Sequence, residues 1–199
     1  MKKTQTLFLT ALALLFLTIT TSAESVTLTD HFESGAGKWD KPSSSALKIG
    51  NGEMLNKTKY AVSVAFKEKD VKAFELSFKL KLLKKTTDEG GHFAIRIDRE
   101  EGKWALYLTT AKSSDSVKII SMYYKNGEKK PVERKSFKTN LSKDKELDIK
   151  IVCGKDDYKL QIGKESFQLG KAPGKGGFTL GSYRQPFIVK DLKIVYEKP

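Results

Sequence analysis

The sequence predicts an all-β protein, a two-sheet antiparallel sandwich of jelly-roll type, and three observations lead there. Residues 73–83, A-F-E-L-S-F-K-L-K-L-L, place Phe74, Leu76, Phe78, Leu80 and Leu82 on one side and Glu75, Ser77, Lys79 and Lys81 on the other. That period of two marks a half-buried strand; wound as a helix, the same residues would scatter Phe and Lys around the cylinder. Turn-forming pairs and clusters such as Asn51-Gly52, Asn126-Gly127 and Gly154-Lys155-Asp156-Asp157 punctuate short apolar runs, as they do in antiparallel β proteins. No segment of normal helical length is amphipathic with a 3.6-residue period. The apolar side of 74–82 needs a cover, which a second sheet supplies; a single-sheet barrel is the alternative.

Val26–Leu28 reads as a short edge strand, and the glycines of 30–39 mark a loop anchored by Trp39. Pro42 and Ser43 to Ser45 extend that loop, Ala46–Ile49 is a strand, Asn51-Gly52 a hairpin turn and Tyr60–Phe66 the next strand. After 73–83, residues 86–91 form a turn or loop. His92–Asp98 sets Phe93, Ile95 and Ile97 against His92, Ala94, Arg96 and Asp98, and Trp104–Thr110 follows as its hairpin partner. Val117–Tyr124 is apolar on both sides, which suits a strand covered twice or one with an aromatic ligand side. Lys129–Asn140 is polar with Phe137 isolated, and Leu141–Glu146 reads as a charged connection. Leu147–Cys153 and Tyr158–Ile162 are strands, Phe167–Leu169 is short, 171–177 is an irregular loop, Phe178–Leu180 is a strand, and Phe187–Tyr196 ends the chain.

Lys2 and Lys3 precede an apolar run from Leu7 to Ile19 and the small residues Thr20 to Ala23. This is the pattern of a secretory signal peptide, 1–23, cleaved after Ala23. The run is shorter than the roughly 20 residues needed to span a bilayer. The expected product is a single domain, 24–199, secreted or periplasmic, not membrane-spanning, and monomeric. Its charge falls only from +13 to +11, because Lys2 and Lys3 leave and no acid does. Cys153 is the only cysteine and continues the alternation Leu147, Ile149, Ile151, so a buried inert thiol is expected and no disulfide. The lysines are spread over many turns rather than gathered in one tract, and no nucleic-acid-binding motif is present, so nucleic acid is not an expected partner. Acidic glycans, anionic cell-surface polymers or membrane surfaces suit the charge.

The order of elements resembles the concanavalin A-like lectin and glucanase jelly roll, including laminin G-like domains and relatives of 3-keto-disaccharide hydrolases. The carrying segments are D-H-F-E-S-G-A-G-K-W at 30–39, F-E-L-S-F-K-L-K at 74–81, H-F-A-I-R-I-D at 92–98 and E-L-D-I-K-I-V at 146–152. Y-K-L-Q-I-G at 158–163, G-G-F-T-L-G-S at 176–182 and V-K-D-L-K-I at 189–194 complete them. The resemblance implies the fold more strongly than the activity, because this fold hosts lectins, hydrolases, lyases and structural domains. Family 16 glucanases of this fold carry E-x-D-x-x-E, supplying the carboxylate pair that retaining hydrolysis needs. Here Glu146-Leu147-Asp148 starts the motif and Lys150-Ile151 breaks it. The N-S-G segment of the 3-keto-disaccharide hydrolase relatives is replaced by Gly90-Gly91-His92.

Candidate ligand-binding residues are His92, Arg96 and Tyr107, with Tyr124 from a neighbouring strand and with Tyr183 and Arg184 in a loop at the sandwich end. Aromatic rings stack on apolar sugar faces, and guanidinium offers a fork to hydroxyls or carboxylates. Trp104 has the register of Leu106 and Leu108 and is assigned to the core. Asp30, Glu33 and Asp191 are candidates for a structural Ca²⁺ joining the termini, since jelly rolls of this type often carry one and calcium takes several hard oxygens; no other cofactor is expected. The resulting expectation is an exported, non-catalytic carbohydrate-binding domain for polysaccharide, acidic by preference. The alternatives are a glycoside hydrolase or lyase with a non-standard site, and a structural envelope protein. Whether Glu75, Ser77, Lys79 and Lys81 share a face with Arg96 and Tyr107 decides if that strand helps form the groove.

Overall fold

Strict alternation at 74–82 yields a nine-residue strand in which every apolar side chain is buried and every polar one is partly or fully exposed. The computed structural model describes residues 24–83, 90–110, 116–142, 145–154, 158–170 and 175–197. The segment 1–23 expected to be a signal, residues 86–89 of the turn expected at 86–91, most of the Gly154–Asp157 turn and residues 171–174 lie outside them. The described chain forms β1 (Ser25–Asp30), β2 (Leu47–Gly50), β3 (Glu53–Asn56), β4 (Val62–Ala65), β5 (Phe74–Leu82), β6 (Gly91–Arg99) and β7 (Gly102–Thr110). It continues as β8 (Ser116–Lys125), β9 (Glu133–Ser142), β10 (Glu146–Cys153), β11 (Tyr158–Ile162), β12 (Glu165–Gly170), β13 (Gly176–Tyr183) and β14 (Phe187–Glu197).

Two antiparallel sheets result. An eight-stranded sheet runs β12-β11-β10-β5-β14-β3-β2, with β1 also paired to β14; a six-stranded sheet runs β4-β13-β6-β7-β8-β9. Neither closes on itself, so the fold is the sandwich and not the barrel. The core lies between the sheets and contains Trp39, Trp104, Tyr158, Phe66, Phe93 and Phe187 among its largest buried side chains. Polar side chains tie the two layers together where apolar packing ends. Asn56 of β3 donates from Nδ2 to Ser182 Oγ of β13 at 3.1 Å. Gln185 donates to the carbonyls of Leu83 and Pro186 and accepts from Thr110 Oγ1 at 3.1 Å. Arg99 of β6 donates to Val71 O and to Cys153 Sγ of β10, both at 2.7 Å.

The Asn51-Gly52 turn joins β2 and β3 with both central residues at positive φ, 53° and 81°, the conformation a two-residue type I′ hairpin requires. Four sequence expectations are corrected. β3 and β9 are strands where none was read, and β9 runs on into the connection expected at 141–146. β9 sits at a sheet edge, and its inward side includes Glu133 and Lys135, whose Nζ pairs with Glu133 at 2.9 Å and donates to Leu169 O at 3.1 Å; these polar residues dilute the alternation. Gly176 and Gly177 belong to β13, not to a loop, and Tyr183 is the last residue of that strand, paired with His92. Asp191 lies inside β14 at a bulge, with φ 49°.

Candidate functional site

β5 belongs to the eight-stranded sheet, whereas β6 and β7 belong to the six-stranded one. Glu75, Ser77, Lys79 and Lys81 therefore share no face with Arg96 and Tyr107, and β5 is scaffold with respect to them. Its outer side is neutralised locally: Lys79 pairs with Glu146 at 3.3 Å, Glu75 with Lys150 at 2.9 Å. Glu146 and Asp148, the first half of the broken glucanase motif, stand on this same outer side, paired in register with Lys81 and Lys79.

On the outer face of the six-stranded sheet the strand register writes a grid. One row crosses five strands as Tyr183, His92, Thr109, Lys118 and Lys138; the next reads Ser63, Gly181, Ala94, Tyr107, Ile120 and Ser136. The third includes Thr179, Arg96, Ala105, Met122 and Arg134, and the fourth Gly177, Asp98, Lys103 and Tyr124. Small residues of the second row, Gly181 and Ala94, lie between the larger side chains of the first and third. An open depression of ≈ 230 Å³ forms there, lined by His92, Arg96, Tyr107, Tyr183, Ser43 and Ser63 among others. Gly181 is required: a Cβ would meet Val62 O at 2.5 Å.

His92 is the hub of the aromatic groups. Its ring meets Tyr107 edge to face, centroids 4.6 Å apart at 78°, and Tyr183 at 5.9 Å. Arg184 lays its guanidinium over Tyr183, 4.9 Å from the ring centre, and holds a φ of 52°. Burial raises the Tyr107 hydroxyl above its ordinary range, the neighbouring Tyr124 adds to this, and Arg96 opposes it; at neutral pH Tyr107 is therefore protonated and can donate or accept. Tyr124 sits on the same face outside the depression, its hydroxyl 3.2 Å from Met122 Sδ and its ring under Lys103 Nζ at 5.4 Å. The structure thus brings His92, Arg96, Tyr107 and Tyr183 to one depression, with Arg184 at its rim and Tyr124 outside the lining but with its hydroxyl next to that of Tyr107. Trp104 is in the core, packed on Tyr123 and Tyr158.

Asp30, Glu33 and Asp191 are not assembled as an ion site, and among the described residues no three His, Cys, Asp or Glu side chains are grouped to hold a metal. Asp30 is buried and spends both oxygens on structure: Oδ1 accepts from the Phe32 amide at 2.8 Å and Oδ2 from Trp39 Nε1 at 2.9 Å. Asp191 instead faces His31, whose Nδ1 is 3.5 Å away on the surface.

Sequence reasoning missed the small residues that open the depression, the serines that rim it, and Lys118, Lys138 and Arg134. Alternation in β8 could have placed Lys118 with Ile120 and Met122, but not beside His92, because that neighbourhood is set by register across three strands.

The fold is the concanavalin A-like lectin and glycosidase jelly roll. No protein-family model matches the sequence, and no curated protein matches it. Solved structures match it in fold. A legume lectin-like domain from Entamoeba histolytica superposes with a TM-score of 0.61 at 14% identity, over 81% of this chain and 91% of that one. The CBM2 module of the evolved Dit of Lactobacillus casei BL23 phage J-1 gives 0.64 at 11% identity over 89% and 98%. The kappa-carrageenase of Pseudoalteromonas carrageenovora, in complex with an oligotetrasaccharide of kappa-carrageenan, gives 0.60 at 9% identity over 94% and 100%.

Proposed function

We propose that this chain is a carbohydrate-binding domain without catalysis of its own, taking a glycan on the outer face of the six-stranded sheet. The observation that carries the reading is the depression around His92, Tyr107, Tyr183 and Arg96. It offers aromatic rings for sugar faces, a guanidinium fork and the hydroxyls of Ser43 and Ser63 for sugar hydroxyls, and no carboxylate among its described lining residues. Hydrolysis by paired acids needs two carboxyl groups flanking the bond, so the lining suits holding a sugar rather than cleaving it. Its volume is below the roughly 300 Å³ at which enclosed small-molecule pockets begin, which fits a polymer lying across an open sheet. The shared fold with a legume lectin-like domain and with a carrageenase held with an oligosaccharide supports the reading. A net charge of +13, or +11 once Lys2 and Lys3 leave with residues 1–23, favours acidic glycans.

Binding to a polysaccharide panel, with calcium and with chelator, tests it. Wild-type protein is expected to retain at least one polymer in both conditions, and Tyr107→Ala or His92→Ala to weaken that binding about tenfold, on the scale of one lost stacking or polar anchor. Failure to retain any polysaccharide at low salt would sink the proposal. Residues 1–23 act in this reading as an export signal. N-terminal sequencing of the exported protein should begin at Glu24.

A further inference from the structure

The two outer faces of the sandwich handle charge differently. On the eight-stranded sheet, Lys79, Lys150 and Lys190 each face an acid, Glu146, Glu75 and Glu53, at 3.3, 2.9 and 3.8 Å. On the six-stranded sheet the grid holds Arg96, Lys103, Lys118, Arg134 and Lys138 with Asp98 as the acid among them. No ion pair joins any of these five cations to a carboxylate among the described residues. Lys118 and Lys138 are the extreme case: they stand directly opposite each other on β8 and β9, both exposed. Like charges in that arrangement repel, and an anion brought from outside would relieve both at once.

Lys118 and Lys138 also lie in the same cross-strand row as Tyr183 and His92, with Thr109 between. Strands about 4.8 Å apart put them roughly 10 and 14 Å from His92 along a line perpendicular to the strands. Thr109 is short, and its hydroxyl is turned to Lys118 O at 3.2 Å, so nothing tall stands on that line between ring and lysines. A linear polymer that seats one sugar against His92, Tyr107 and Tyr183 and runs across the strands toward β9 would pass over both ammonium groups.

We propose that Lys118 and Lys138 form an anion subsite of the glycan-binding face, receiving a sulfate or carboxylate carried by the same chain some 10–14 Å from the sugar in the depression. This rests on the carbohydrate-binding reading. It commits to an acidic polysaccharide, because a lipid surface would make no use of an aromatic depression aligned in the same row.

The test uses matched polymers, polygalacturonate with its methyl ester, dextran sulfate with dextran, and chondroitin sulfate with chondroitin, titrated against the full chain at low salt. The variants are Lys118→Gln/Lys138→Gln, Tyr107→Ala, and a control of equal charge change on the opposite sheet, Lys81→Gln/Lys193→Gln. For at least one pair, the wild type should prefer the more highly charged member. The Lys118/Lys138 variant should lose about five- to tenfold toward that member, as two exposed charge contacts would give, with little change toward its partner, and the control should lose nothing. Equal loss in the control, or full retention in the Lys118/Lys138 variant, overturns the subsite. If Tyr107→Ala abolishes binding to both members of a pair and no charge preference exists, the carbohydrate reading stands and the subsite falls. If no polymer binds at all, both fall. Capture by phosphatidylglycerol–phosphatidylcholine vesicles that needs the lysines but not Tyr107 overturns it in favour of a lipid surface.

Discussion

Asp30 shows how one carboxylate organises a loop that the sequence could equally offer to a metal. Its two oxygens hold the Phe32 amide and the Trp39 indole, Phe32 takes a φ of 58° to turn its ring inward, and the Phe32 and Trp39 rings meet at 6.3 Å inside the core. The motif D-H-F…K-W is therefore a clamp on the first loop. Asp30→Ala would leave a buried amide and an indole N–H without their acceptor. Hydrogen bonds to a charged group contribute about 1.5–3 kcal/mol each, so the variant should lose about 3 kcal/mol in denaturant unfolding. Asp30→Asn, which keeps one acceptor oxygen, should lose less. An Asp30→Ala variant within 1 kcal/mol of wild type would remove the clamp from this account. At the same scale, calcium chelation should leave the unfolding midpoint unchanged, because Asp30, Glu33 and Asp191 are not grouped to hold an ion among the described residues.

The pairing of β6 with β13 is what sets His92 beside Tyr183, and its start depends on Gly91. A Cβ there would lie 2.5 Å from Arg184 O and 2.8 Å from Tyr183 O. Both are backbone atoms with no rotamer to give, so Gly91→Ala must part the strand ends. We expect about 1–3 kcal/mol of destabilisation, as for overpacking elsewhere, together with weakened glycan binding; a variant that unfolds less readily than wild type would contradict the contact. Strands such as β5, β6, β7 and β10 were legible because their period of two is carried within each segment. β3, with four residues, and β9, with Glu133 and Lys135 turned toward its partner sheet, carry too little of that period. Register was not legible at all. It alone puts Lys118 in line with His92, moves Tyr183 from a loop to a strand end, and assigns Glu75 and Arg96 to opposite faces of the molecule.

Across the whole sandwich, the ionisable groups buried between the sheets set how the fold responds to alkali. Cys153 is held above its ordinary value of 9.0, burial being the main cause and Arg99 opposing it. Tyr158, which has no hydrogen-bond partner for its hydroxyl among the described residues, is pushed well above 10.0 by burial and then by Cys153, again against Arg99. Each group keeps its proton longer in the fold than in the unfolded chain. Between the two values the unfolded chain binds fewer protons, and stability falls as pH rises. The contribution is complete at neutral pH, begins to fade as the unfolded thiol ionises near pH 9, and fades faster once the unfolded tyrosines, Tyr107 included, ionise near 10. Denaturant unfolding from pH 7 to 11 should therefore show a loss with two onsets. Cys153→Val should erase the first onset and leave the second, whatever it does to stability at pH 7. A curve flat to pH 11 would contradict the raised values of both groups, and a first onset that survives the loss of the thiol would mean that alkali acts there on groups other than Cys153.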